Sequence, residues 1–297
     1  MTSARTILGW VFVAILLIGG VYAAVSPILQ PIRFPKISLP WIITEADSII
    51  DHYSLVREIN SSSSIKHVTL NVSVMFGALN LLFLDSPSLV CEASFRRNIS
   101  MSALNTSYTE TSGEHAAVRL HGKVGELNLT LGKNYQYDGV LDVRIGGMVV
   151  ELGENSNISR LMLSIRYFGG LFMTVKNEAS FEQIDMNLNI GGILLTVDAE
   201  SLKKDGIINA GVNIGGYSMS VDVDTEKIGV RLNSTVDIGS LTIAHSSFTG
   251  SATKTQCYVE TTDYTHATNH LNINAVVGLG GGTIQETQPY QFLGRNS

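Results

Sequence analysis

Basic runs are missing from this sequence. Its 297 residues carry 20 Lys and Arg against 26 Asp and Glu, a net charge of −6, and only 15% are charged. No dense Lys/Arg stretch appears anywhere, so the phosphate neutralisation that drives nucleic-acid binding has no footprint, and no nucleic-acid partner is expected. Cysteine is nearly absent, at 2 residues. A nucleophile with an adjacent base is also lacking, as are paired carboxylates at an interpretable spacing. No catalytic residue, cofactor or metal follows from the pattern, and an enzyme is not the expected class.

What the chain does have is glycine, 28 residues of it, with abundant Val, Ile, Leu, Ser and Thr. Low charge with that composition fits a β-rich repeat better than a helical bundle or a disordered chain. Between Val74 and Ile284 a short pattern recurs about every 22–24 residues: apolar–x–apolar–small–small–apolar–x–apolar, with glycine heading the small pair. Val143-Arg144-Ile145-Gly146-Gly147-Met148-Val149-Val150 is one copy, and Leu188–Leu195 and Val212–Met219 are two more. Small pairs begin near 77, 102, 125, 146, 169, 191, 215, 239 and 280. The copy at Ser102-Ala103 is degraded, and the one before Gly169 carries an extra residue, as a bulge would give. The last interval is about twice the others and contains the irregular segment Ala244–His270.

Around each small pair the apolar residues run at i and i+2, the signature of strands with one buried and one solvated face. A Gly-Gly pair can close a two-residue hairpin. It can instead turn the corner of a solenoid coil, where glycine lets stacked coils approach. The solenoid is the preferred reading, because about nine similar units would stack their corners into one ladder. The fold class expected is therefore all-β, a β-solenoid-like stack, with one N-terminal transmembrane helix and a short capping helix. On such a stack Cys91 and Cys257 lie six or seven coils apart, about 30 Å, while bridged Cα atoms sit within about 7 Å. Two unpaired, buried thiols are expected, and a bridge would favour a folded-back architecture.

The N-terminus speaks to location. Ile7 through Val25 is an apolar run with no charge between Arg5 and Arg33, long enough to span a bilayer as a helix. Trp10 and Tyr22 stand near its ends, where aromatic rings favour the interface. The alternative is a cleaved secretory signal with Arg5 as its charged region. Both readings carry the rest of the chain across the membrane, and a third, the minority view, leaves the domain in the cytosol. Asn-x-Ser/Thr acceptors at Asn60, Asn71, Asn98, Asn105, Asn128, Asn157 and Asn233 are in keeping with an outside location. Their simpler explanation is that Asn and Ser populate turns and solvent-facing positions.

Four segments are expected. Residues 1–26 are the anchor or signal, and 27–64 a Pro-rich spacer (Pro27, Pro31, Pro35, Pro40) with an amphipathic helix. That helix is expected over Thr44–Asn60, capped by Thr44 and apolar at Ile49, Tyr53 and Val56. Residues 65–284 are the β-repeat domain, and 285–297 a polar tail.

The recurring apolar–Gly–small–apolar units beside a membrane segment resemble the toast-rack and putative-adhesin group of envelope domains, which includes C-terminal domains of bacterial membrane-stress regulators. The resemblance covers roughly Leu70 to Ile284. It implies an extracytoplasmic or membrane-adjacent module working through contacts, with no catalytic residues to transfer. This chain departs from the commonest form in its N-terminal anchor and in having no recognisable second module.

Other candidates have plainer explanations. His266 and His270, four apart and near Asp263, would make a metal set only on a helix, and Thr265, Thr268 and Asn269 suit a loop. Gly278-Leu279-Gly280-Gly281-Gly282 lacks the following helix that a phosphate loop needs. Glu151, Glu154, Asp198, Glu200, Asp222, Asp224 and Glu226 could align into an acidic edge, or simply keep a repetitive surface soluble. The expected role is contact at the cell envelope, with the membrane and an envelope protein or surface polymer as partners. A membrane-stress sensor and a filament or surface-layer subunit are the alternatives. Oligomeric state is left open.

Overall fold

The computed structural model describes residues 48–56, 65–111, 114–244 and 248–286. The anchor segment, the Pro-rich spacer, Asn60 and residues 287–297 of the polar tail lie outside them. Among the described residues every regular element is a strand. There are thirteen: β1 (Ser48–Val56), β2 (His67–Leu84), β3 (Leu89–Asn98), β4 (Asn105–Thr111), β5 (His115–Gly132), β6 (Gln136–Leu152) and β7 (Ile158–Lys176), then β8 (Phe181–Ala199), β9 (Gly206–Val223), β10 (Ile228–Ala244), β11 (Phe248–Ala252), β12 (Gln256–Thr261) and β13 (Asn269–Glu286).

All thirteen belong to one mixed sheet, ordered β1-β3-β5-β2-β6-β7-β8-β9-β13-β10-β12-β11, with β4 pairing β5. Its centre is a run of eight long parallel strands, from β5 to β10. The others are antiparallel additions at its two ends. β3 pairs with Glu126–Leu131 of β5 and β4 with His115–His121, so the outer edge of β5 is covered along most of its length. β1 then pairs with β3. At the other end β12 pairs with Arg231–Thr235 of β10, and β11 with β12. Covering the terminal strands in this way blunts the edges that would otherwise template pairing between molecules.

The long strands form because their apolar residues alternate and are largely β-branched or aliphatic. In β6, Leu141, Val143, Met148, Val150 and Leu152 all face one core. That core is continuous from Val68 on β2 to Ile284 on β13.

Three expectations are corrected. The helix over Thr44–Asn60 is absent where the chain is described: Ser48–Val56 is a strand, with Asp51, Tyr53 and Leu55 turned inward at period two. Ile49, Tyr53 and Val56 do fall at helical spacing, but pairing with the open edge of β3 satisfies the backbone and suits the β-branched residues. The degraded repeat at Ser102-Ala103 is not a unit of the parallel run. It lies in the turn from β3 to β4, where Ile99 and Met101 are exposed, so the run has eight strands rather than nine. The segment Ala244–His270 is less irregular than expected, since it contains β11 and β12. Strand order also departs from chain order. β2 sits between β5 and β6, and β13 inserts between β9 and β10.

Candidate functional site along the glycine ladder

The glycines that head the small pairs meet across the sheet. Gly125, Gly77, Gly146, Gly169, Gly191, Gly215, Gly280 and Gly239 stand in register on successive parallel strands. The approach is so tight that a Cβ on Gly191 would lie 1.8 Å from the Gly169 carbonyl oxygen, and one on Gly280 1.6 Å from that of Gly215. No side chain fits there. β7 joins the ladder although its register shifts between Ile165 and Phe168, which absorbs the extra residue seen in the sequence.

The residue before each ladder glycine is apolar, and it faces outward. Val124 pairs with Phe76, Phe76 with Ile145, and Ile145 with Phe168. The row continues through Ile190, Ile214 and Leu279 to Ile238. Phe76, Phe168, Ile214, Leu279 and Ile238 are exposed. Strict alternation places this position inside, in step with Val143. From Val143 to Met148, the next buried residue, is a step of five rather than an even number, so the inward face changes parity across the glycines. That odd spacing was the available signal.

Polar rows flank the apolar one. Asn213 Nδ2 donates to Asn189 Oδ1 at 3.0 Å beside it. Farther along the strands, Asn274 donates to Asn209 at 2.9 Å, and Asn209 to Asp185 at 2.8 Å. Burial raises the Asp185 carboxyl, but hydrogen bonds from Asn209, Gln183 and Arg160 outweigh it and hold the group below its ordinary range. These rows are satisfied internally and leave no free acid for chemistry.

The acidic residues are interleaved with lysines. Lys176 Nζ donates to Glu151 at 2.6 Å, Lys203 to the Glu154 carbonyl at 2.6 Å, and Lys227 pairs with Asp224 at 2.8 Å. Asp198 stands in register between Lys176 and Asp222. A groove of about 410 Å³ lies here, lined by Leu82, Phe83, Glu151, Glu154, Lys176 and Asp198 among others. Among the described residues no three His, Cys, Asp or Glu are grouped to hold a metal ion. His266 lies in a turn. His270 is the second residue of β13, with its Nε2 at 3.0 Å from the Tyr264 carbonyl and its Nδ1 at 3.5 Å from Asp205. Gly278–Gly282 lies within β13, with no helix after it.

Of the acceptor asparagines, Asn71, Asn105 and Asn233 are exposed, while Asn98, Asn128 and Asn157 are half-buried. Asn98 Oδ1 accepts from the Ser100 amide and hydroxyl, and Asn128 Oδ1 from Asn80, which ties down both side chains. Cys91 and Cys257 are buried, each with a free thiol, on β3 and β12 at opposite ends of the sheet. Burial pushes the Cys91 thiol up to about 12 and raises Cys257. Among the described residues no helix is long and apolar enough to cross a membrane.

The class this arrangement defines is an all-β protein built on one mixed thirteen-stranded sheet. No protein-family model matches the chain, and no curated protein matches it. It is similar in structure to the crystal structure of a "putative cell adhesion protein" from Clostridium sporogenes, with 14% sequence identity and a TM-score of 0.49, over 80% of this chain and 100% of that one.

Proposed function

We propose that this chain is a membrane-anchored, extracytoplasmic β-repeat protein that acts by binding or structural contact at the cell envelope, without catalysis. The observation that carries this reading is the in-register run of eight parallel strands, each 17–19 residues long. A straight strand of that length would span about 60 Å. The connections between consecutive strands from β5 to β10 are only three to six residues, and at most about 3.5 Å per residue they reach no farther than roughly 21 Å. Connections this short between parallel strands support a path in which each strand doubles back, and the tight glycine ladder suits the place of the bend. The chain then winds as a β-solenoid, whose outer faces are rows of side chains repeated every ~4.8 Å. Such rows suit an extended partner, an envelope protein or a surface polymer.

The apolar run Ile7–Val25, the Pro-rich spacer and the exposed acceptors at Asn71, Asn105 and Asn233 support the outside location. A stress-sensing role would need a partner touching the anchor. End-to-end filament growth is the weaker reading, since antiparallel strands cover most of β5 and part of β10.

Protease shaving of intact cells, followed by mass spectrometry of released peptides and glycans, tests the proposal. Release of peptides from Leu70–Ile284, with sugar on an exposed acceptor, is expected. Cleavage only after lysis would place the domain inside and overturn it.

A further inference from the structure

The outward apolar row is a continuous strip one side chain wide and about 34 Å long, seven strand steps at ~4.8 Å. Phe76 is 40% exposed, Phe168 45%, Leu279 47% and Ile238 65%. With Tyr167 at 54% beside them, and large side chains presenting ~150–250 Å² each, the strip offers on the order of 600 Å² of surface. That is the upper end of the contiguous apolar area a monomer leaves exposed, and patches of this size are often contact sites.

We propose that the strip is covered by a second copy of the same chain, in a two-fold dimer whose strips lie face to face and run in opposite directions. The proposal concerns self-association and does not rest on the cellular location argued above. Two such faces would bury about 1,200 Å² in total, inside the range of specific interfaces.

The direction follows from charge. Beside the strip, one residue before it, Lys123 is exposed on β5 at one end and Arg144 on β6 near it. At the other end, in the same position on β10, stands exposed Asp237. None of the three has an ion-pair partner among the described residues. Face-to-face copies can be related by a two-fold axis along the strip or across it. An axis along the strip sets each strand opposite its own copy and exchanges the flanks, so Lys123 meets the partner's Glu126 on β5 while Asp237 meets only Ser240. An axis across it reverses the strips, so Lys123 meets the partner's Asp237 at both ends while Phe168 meets the partner's Ile190 at the centre. The second arrangement pairs Lys123 with the otherwise unpaired Asp237, whereas the first offers Lys123 only Glu126, which Asn80 already engages at 3.2 Å, and leaves Asp237 without a partner.

The strip's other flank agrees. Gly147 and Gly192, the second glycines of their pairs, have no internal need to be glycine. A Cβ on either would meet nothing nearer than a carbonyl oxygen at 3.8 Å, and neither has a positive φ. Bare backbone there leaves room for the partner's aromatic rings.

Sedimentation of the full chain in mild detergent tests this, with thermal unfolding as the fold control. The wild type is expected to be a dimer. Lys123→Asp and Asp237→Lys should each raise the dissociation constant about tenfold or more by opposing like charges, and the two together should restore it. Phe168→Asp, at the centre, should abolish the dimer. A monomeric wild type overturns the proposal, and a monomer that binds neutral lipid vesicles through Phe168 assigns the strip to a membrane instead. A dimer indifferent to Phe168→Asp, or single charge variants that the double variant fails to rescue, also overturns it. Both charged sites are exposed, so the swap remains decisive if Phe168→Asp does not fold.

Discussion

Gly146 runs so close to Gly77 on the neighbouring strand that a Cβ built on it would stand 1.7 Å from the Gly77 carbonyl oxygen, at a φ of 138°. Gly147, the very next residue, has nothing nearer than 3.8 Å. The two glycines of the pair therefore do different jobs, one admitting backbone contact and one merely small. Gly146→Ala is expected to cost more than about 4 kcal/mol or to prevent folding, as steric and φ penalties combine. Gly147→Ala should be neutral, or stabilising by up to about 1 kcal/mol, through reduced freedom of the unfolded chain. Urea midpoints of the two variants check this.

Asp51 holds the first strand in place. Its carboxylate accepts from Arg97 Nε at 2.7 Å and from the Leu104 amide at 2.9 Å, and Arg97 also donates to the Met101 carbonyl at 2.7 Å. The Arg97 hydrogen bond holds the Asp51 carboxyl below its ordinary 3.8. As pH falls the unfolded chain takes up this proton first, so the stabilisation is full above about pH 4 and is lost as pH drops through the native value. Asp51→Asn is expected to cost about 1–3 kcal/mol at neutral pH and to flatten the acid limb of the stability curve. Unfolding free energies between pH 2 and 7 would reveal an unchanged slope if the pair were idle.

Both thiols are buried, Cys91 fully. With its pKa pushed up to about 12 by burial, Cys91 should not react with a thiol reagent at pH 8, and neither cysteine should react until the protein is denatured. Two thiols released on denaturation without reductant is the expected count. Fewer would mean a bridge across nine strand steps, which this sheet does not permit.

Tyr137 is buried on β6 and bonds backbone groups of β3 and β5. Its hydroxyl donates to the Val90 carbonyl at 2.6 Å and accepts from the Gly132 amide at 3.1 Å. Burial raises its pKa. Tyr137→Phe leaves both backbone groups short of a partner and should destabilise by about 1–3 kcal/mol, measurable by thermal melting with little change in near-neutral pH dependence.

The glycine ladder was legible in the sequence because the repeat carries its own register: whichever strands neighbour each other, the small pairs align. The order of neighbours was not legible for the same reason. β13 fits beside β9 as well as β10 does, and nothing local tells Gly280 from Gly239. The first strand was misread because Ile49, Tyr53 and Val56 satisfy a helical period while Asp51, Tyr53 and Leu55 satisfy period two. What settled it was the open edge of β3, a tertiary fact. The outward row escaped notice because Ile145 and Phe168 look like core residues by type, and only the odd step across the glycines turns them to solvent.

Register between successive units is the claim on which the rest stands, and paired cysteines test it most directly. Thr174 on β7 lies opposite Thr196 on β8, which lies opposite Ser220 on β9. Thr174→Cys with Thr196→Cys places the two Cα atoms about 4.8 Å apart, within bridging distance, whereas Thr174→Cys with Ser220→Cys places them about 10 Å apart. The first variant is expected to form an intramolecular disulfide on mild oxidation, and the second is not. A bridge between 174 and 220, or none between 174 and 196, would contradict the in-register parallel stack.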